Sequence, residues 1–232
     1  MAKETLLRAR TLTREFGSGE TSAVALQHVD LKVAKGEFLA ITGRSGSGKT
    51  TLLNLLGGLD RPTSGTVNFE GQDLTTMSDT NLTMLRRRKI SFIFQSFGLL
   101  PLLSAWENVE LPLRINGVSR GERHRRVDEV LALVGLGPRS RHRPYELSGG
   151  EQQRVAIARS LVVEPGLVLA DEPTGDLDST TGLHIINMLK EASSERNITI
   201  VVATHDLVLA RMADRVENLV DGRFTRPEAA LR

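Results

Sequence analysis

Residues 38–56 read Phe38-Leu39-Ala40-Ile41-Thr42, then Gly43-Arg44-Ser45-Gly46-Ser47-Gly48-Lys49-Thr50, then Thr51 through Leu56. The first five residues are a short apolar run that ends in glycine, the pattern of a buried strand. Gly48 to Leu56 reads as a helix. The eight residues between match the spacing G-x-x-x-x-G-K-[ST]. Each residue type there has a chemical reason. Glycines let consecutive backbone N–H groups turn inward around an anion. The helix that follows presents the partial positive charge of its N-terminus. Lys49 adds a mobile point charge that reaches β- and γ-phosphates, and the Thr50 hydroxyl is placed to bind Mg²⁺. A plain glycine-rich turn is the bland alternative, and Lys49 and Thr50 together count against it.

Working outward, a second stretch supplies the acidic half of such a site. Leu167-Val168-Leu169-Ala170 is another buried strand, and Asp171 and Glu172 emerge at its C-terminal end. Open α/β sheets bind ligands at that edge. Asp171 is suited to Mg²⁺. Glu172 points elsewhere and is suited to take a proton from an attacking water. An Asp-Glu pair after a strand is common surface charge by itself. Beside a complete phosphate loop it points to nucleotide hydrolysis.

The remaining pattern alternates. Strands are expected at Leu6 to Thr13, His28 to Val33, Gly65 to Glu70, Ile90 to Phe94, Ile198 to Ala203 and Val216 to Leu219. Helices are expected at Ser78 to Arg88, Gly149 to Val163, Thr180 to Glu195 and Leu207 to Ala213. Alternating strands and helices imply an α/β fold with a mostly parallel sheet. From Gln95 to Leu147 no convincing strand occurs. Ser104 to Leu113 and Ser119 to Val134 look helical, so a helical insertion splits the α/β core. The chain reads as one domain over residues 1–232. Its nucleotide-binding core is 1–95 and 155–232, and its helical subdomain is 96–154.

Composition narrows the classes. Among 232 residues, 40% are apolar and 25% charged, which excludes a disordered chain. No apolar run approaches the roughly 18 residues of a membrane span. Lys3, Glu4, Arg8 and Arg10 interrupt the N-terminus, so no signal peptide is expected. The absence of cysteine fits a cytosolic location. Thirty Lys and Arg offset 28 Asp and Glu. The arginine clusters at 86–88, 120–126 and 139–143 lack stacking aromatics, so they read as solvated helix faces and no nucleic-acid partner is expected.

Leu147-Ser148-Gly149-Gly150-Glu151-Gln152-Gln153-Arg154 places a second glycine-rich helix start in the same chain. Ser148 is a natural N-cap, and Gly149 and Gly150 expose backbone N–H groups. A simple capped helix would account for Ser148 but not for the double glycine. This stretch resembles the signature sequence of the ATP-binding cassette (ABC) ATPases. Other elements stand in that family's order: Gln95 after a strand resembles the Q-loop glutamine, Gly175-Asp176-Leu177-Asp178 the D-loop, and His205 the switch histidine. Phe16 stands where an adenine-stacking aromatic is expected. The resemblance covers nearly the whole chain. It implies a phosphate-loop NTPase fold with an N-terminal antiparallel β subdomain and a helical insertion.

What the resemblance implies about function is specific. Two copies face head to tail, and nucleotide on one phosphate loop meets Ser148, Gly149 and Gly150 of the other. Phe16 stacks on adenine. Gly43 to Thr51 hold the phosphates, Thr50, Gln95 and Asp171 the Mg²⁺. Glu172 activates water, His205 contacts the γ-phosphate, and Asp178 couples the two sites. Asp176 is given no role. ATP and Mg²⁺ are the implied cofactors.

Phe94 through Pro101, with Glu107-Asn108-Val109-Glu110-Leu111-Pro112-Leu113, is similar to the lipoprotein-release and macrolide-efflux group. That implies membrane (permease) subunits and a second copy as partners, and a location on the inner face of the cell membrane. Phe97, Leu99, Leu100 and Leu103 are expected to be solvent-facing and to receive a helix of the membrane subunit. Packing of the insertion against the core is the alternative for each. Cassettes acting in translation or DNA repair are the alternative function. Only 53 residues separate Gln95 from Ser148, too few for the long coiled coil such proteins carry.

Overall fold

A computed structural model describes residues 4–17, 22–175 and 177–225. Asp176 lies outside them. The chain opens with β1 (Thr5–Phe16), β2 (Ala23–Ala34) and β3 (Phe38–Thr42), followed by α1 (Lys49–Leu56). Next come β4 (Ser64–Phe69), β5 (Gln72–Asp73), α2 (Asp79–Arg88) and β6 (Ile90–Ile93). Three helices follow: α3 (Ala105–Ile115), α4 (Arg120–Leu133) and α5 (Gly149–Leu161). The chain then alternates through β7 (Leu167–Asp171), α6 (Ser179–Arg196), β8 (Thr199–Thr204), α7 (Leu207–Met212), β9 (Arg215–Val220) and β10 (Arg223–Thr225).

Two sheets form. One is antiparallel with order β2-β1-β4-β5. The other has order β10-β9-β3-β8-β7-β6, parallel except for the β10–β9 pair. Every residue of β8 is buried, and β3 and β7 are buried except for their last residue. That is what apolar runs without alternation demand: cover on both faces. Phe38 and Ala40 face a core completed by α3 to α7. Leu39 and Ile41 face a second core shared with α1 and the antiparallel sheet. Each buried Leu, Ile or Phe there contributes about 1.5–3 kcal/mol.

β1 and β2 are longer than their sequence pattern, each running 12 residues. Thr11 and His28 take left-handed backbone angles, φ 45° and 49°. There the register slips and the apolar alternation breaks, so the pattern ends while the strands continue. Neighbouring side chains satisfy the displaced amides: Thr11 N donates to Asp30 Oδ1 at 2.9 Å, and His28 N to Thr13 Oγ1 at 3.1 Å. β5 and β10, two and three residues long, carry no readable alternation.

Helix α5 runs unbroken through positions 154 and 155, where the sequence places the seam between insertion and core. Its apolar face joins α3 and α4 to the underside of the parallel sheet. The arginine clusters are largely committed to the chain itself. Arg123 meets Glu110 at 2.5 Å, Arg125 and Arg126 both meet Glu122, and Arg86 donates to Gly58 O.

Candidate functional site: a phosphate loop facing two carboxylates

β3 ends at Thr42 and the chain turns through Gly43–Gly48 into α1. Gly48 is the N-cap residue, at φ 103°, and offers no capping side chain. A Cβ there would lie 2.5 Å from Ala25 O, so only glycine lets the loop pass beneath β2. The first N–H groups of α1 therefore have no side-chain cap. Lys49 folds back over the loop. Its Nζ donates to Gly43 O at 2.9 Å and Arg44 O at 3.3 Å, and stands 3.6 Å from Glu172 Oε1.

The acidic side comes from β7. Thr50 Oγ1 donates to Asp171 Oδ2 at 2.7 Å. Burial pushes the Asp171 carboxyl above the usual carboxylate range, against the opposing pull of that hydrogen bond. Glu172, one residue past β7, adopts φ 46°, a conformation that costs a non-glycine residue about 1–3 kcal/mol. Its N–H donates to Ala203 O of β8 at 2.9 Å. The twist turns its carboxylate toward Lys49 and His205. Glu172 Oε2 accepts from His205 N at 3.2 Å and lies 2.9 Å from His205 Nδ1. Glu172 is 14% exposed, His205 70%. His205 is thus a hydrogen-bonded surface residue beside a catalytic-type carboxylate, and the cap of α7 is Asp206 instead.

These groups line one open cleft of about 590 Å³: Arg44, Ser45, Gly46, Gly48, Lys49, Thr50, Thr51, Gln95, Asp171, Glu172 and His205. Gln95 reaches it from a turn, two residues beyond the end of β6 at Ile93. Gly43 and Ser47, of the same loop, do not line the cleft; Ser47 is buried, and a Cβ on Gly43 would lie 2.6 Å from its Oγ. Ala25 also lines the cleft, and an alanine in a strand carries no sequence signal.

Besides Gly43 and Ser47, five predicted site residues are not among those lining this cleft. Phe16 lies at the end of β1, 44% exposed, with the Arg14 guanidinium carbon 4.5 Å from its ring centre. Ser148 caps α5 with a full capping box: its Oγ accepts from Glu151 N, and its own N–H donates to Glu151 Oε2 at 2.8 Å. Gly149 and Gly150 open the same helix. A Cβ on Gly150 would drive into the Thr181 side chain of α6, so one of the two glycines has a packing cause that the sequence did not reveal. Asp178 caps α6, accepting from Thr180 N and Thr181 N at 3.1 and 3.0 Å.

The apolar segment 97–103 is less open than expected. Leu100 is exposed, but Phe97, Leu99 and Leu103 are half-buried, and Leu99 packs against the core that α3 to α7 complete. Leu102, at 81% exposure, is the most exposed large apolar side chain of the chain's described residues, and sequence reasoning passed over it.

The donor set fits a phosphorylated nucleotide with Mg²⁺. The loop offers free helix N–H groups and a lysine. Ser47 Oγ is buried with no hydrogen-bond partner. No cluster of three His, Asp or Glu gathers among the described residues. Thr50 with one carboxylate is the sparse protein share that Mg²⁺ takes when phosphates and water complete its shell.

The family model described as ABC transporter matches residues 26–175. The chain is 49% identical to the lipoprotein-releasing system ATP-binding protein LolD of Geobacter metallireducens, over 94% of this chain and 97% of that protein. The chain belongs to the ABC transporter family. This ABC cassette is also 48% identical to the macrolide export ATP-binding/permease protein MacB of Azoarcus sp., over 94% of its own length but only 33% of that longer protein. Its fold superposes on the dimeric structure of the cassette MJ0796 with TM-score 0.90 and 45% identity, covering 95% of this chain and 97% of the other. It superposes at 0.89 on a dimeric post-hydrolysis state of the same cassette bound to ADP and Pi. As an ABC cassette the chain is an ATPase, with ATP as substrate and Mg²⁺ as the accompanying metal.

Proposed function

We propose that this ABC cassette hydrolyses ATP as a head-to-tail homodimer and drives conformational work in separate membrane subunits of the lipoprotein-release or macrolide-efflux kind. The observation that carries the proposal is the split of the site. The phosphate loop, Asp171, Glu172, Gln95 and His205 share one cleft, while Ser148, Gly149, Gly150 and Asp178 are not among its lining residues. A second copy supplies the missing helix end without any new residue. Phe16 is assigned to the adenine face by stacking.

Mg²⁺, when bound, polarises phosphoryl oxygens and offsets developing charge. Thr50 and Asp171, with Gln95, are the residues to hold it. Lys49 leaves the loop carbonyls for phosphate oxygens, a short swing because it is already pinned over the loop. Glu172 orients and deprotonates the attacking water, and its carboxylate is aimed by His205 and Lys49. His205, largely exposed, remains able to reach the γ-phosphate.

The assignment carries residues 1–95 and 155–232 as the nucleotide-binding core and 96–154 as the helical segment that meets the membrane subunits. Among the described residues no helix is long and apolar enough to cross a membrane. The proposed location is therefore peripheral, on the inner face of the membrane and held there by those subunits. Glu172→Gln tests the core of the proposal. Steady-state ATP turnover is expected to fall by about 10²–10⁴-fold, with an ATP-bound dimer accumulating in size-exclusion chromatography. Turnover at the wild-type rate would remove Glu172 from its role.

A further inference from the structure

Two non-glycine residues on the site loops hold left-handed backbone angles: Phe97, at φ 60°, in the loop that follows Gln95, and Glu172, at φ 46°. Such conformations persist only where surrounding contacts over-determine them. Backbone neighbours and, at Glu172, β8 and His205 supply some of those contacts, and in both loops α5 supplies another. Arg159 donates from Nη2 to Phe97 O at 2.9 Å and from Nη1 to Gly98 O at 2.6 Å. Gln153 donates from Nε2 to Pro173 O, the carbonyl next after Glu172, at 2.8 Å.

Both side chains are expensive ones to place there. Gln153 is 1% exposed, and its Oε1 has no hydrogen-bond partner. Arg159 is largely desolvated, and its charge is met by carbonyl dipoles. A buried amide with half its bonds unmade is retained at a stability cost. The six-residue spacing puts the two grips less than two turns apart on one rigid helix. The N-terminal turn of that helix is Ser148-Gly149-Gly150.

We propose that Gln153 and Arg159 are positioning residues that make α5 a strut. Through them the signature turn holds the loops of Glu172 and Gln95 in its own chain. This rests on the head-to-tail reading above. In that dimer the signature turn serves one nucleotide and the two loops serve the other. Seating ATP against the turn of one chain then sets the backbone of Glu172 and Gln95 at the second site, so the two sites fire together. Gln153 and Arg159 touch no reacting atom and act only through the loops they hold.

The test uses the full chain. Steady-state ATPase rates are measured against ATP concentration for wild type, Gln153→Met and Arg159→Met, alongside ATP binding to the dilute monomer. Two coupled sites give wild type a Hill coefficient above 1, with about 2 as its limit. Each variant is expected to lower kcat by on the order of tenfold, since sub-ångström misplacement of reacting groups is costly. The Hill coefficient is expected to fall toward about 1, because the link between the sites is lost. Monomer affinity for ATP stays within about twofold, because the phosphate loop is untouched. Arg159→Lys, which cannot span both carbonyls, falls between. A merely structural role would lower the melting temperature and leave the Hill coefficient alone. If Gln153→Met does not fold, Arg159→Met, which removes both donors to the other loop, decides the test. Variants with wild-type kcat and Hill coefficient overturn the strut and leave the ATPase intact. A wild-type chain without ATP turnover, or one indifferent to Glu172→Gln, overturns the functional reading instead.

Discussion

The chain contains two glycine-rich turns that each open a helix, and they are built in opposite ways. At Gly43–Thr50 the N-cap is a glycine without a capping side chain, Thr50 meets Asp171, and Glu172 lies within reach of both Lys49 and His205. At Leu147–Gly150 the cap is a closed box in which Ser148 and Glu151 satisfy each other. Glu151 also meets Arg139 at 3.7 Å, and Ser148, Gly149 and Gly150 do not line the cleft that holds Lys49, Glu172 and His205. One turn has its chemistry in the same chain, while the other is a self-sufficient helix end displayed to something else. An anion-binding turn therefore becomes an active centre only through what the tertiary fold brings opposite it.

The sharpest way to break this comparison is to separate the two turns into different chains. Lys49→Ala and Ser148→Arg are each expected to abolish turnover as homodimers. Mixed in equal amounts, half of the dimers carry one intact composite site, so about a quarter of the wild-type rate returns for independent sites, and less if the two sites must act together. Turnover above both parents shows that the turns of one site come from different chains, whereas nothing above either parent, in a mixture whose dimers form, excludes composite sites that work independently; ATPase assays on the mixture decide it.

A smaller effect sharpens the role of the double glycine. Gly150→Ala presses on Thr181 and is expected to slow turnover by on the order of tenfold, by tilting α5 against α6. Thr181→Ala in the same chain removes the pressing methyl and is expected to recover most of the rate. If the double variant stays as slow as Gly150→Ala, the glycine is needed for its exposed N–H and not for packing.

The smallest effect is in the caps. The Ser148 backbone N–H holds the Glu151 carboxyl below its ordinary value of 4.5, and Ser104 does the same for Glu107. A carboxylate lowered in the folded state adds stability above its unfolded pKa and loses it as pH falls through the folded one. Both caps are thus expected to hold at pH 4.5 and to fail below it, read by NMR titration of the two glutamates. Either group titrating at or above 4.5 would mean its cap is open in solution.

Much of this was legible before any coordinate. The buried strands showed as unbroken apolar runs, because burial on both faces leaves no reason for alternation. The phosphate loop showed because its glycines, lysine and threonine are all needed within eight residues. The extensions of β1 and β2 were not legible, since the bulges at Thr11 and His28 invert the very alternation by which strands are read. Whether Leu99 faces solvent or packs on the core stayed open, because a loop's apolar side chain gives no sign of what it packs against; it packs on the core.

Sequence alone settled the residue types, their order and their local turns, because capping, loop curvature and burial pattern depend on neighbours a few positions apart. It settled the family for the same reason. Only the tertiary structure decided that Asp171 meets Thr50 across 121 positions and that Glu172 is twisted to φ 46° against His205. It also decided that Gln153 and Arg159 reach from one helix into both loops. Those contacts join residues 20 to 121 positions apart. Their geometry is fixed by how a stiff sheet and helix pack, which no local pattern records.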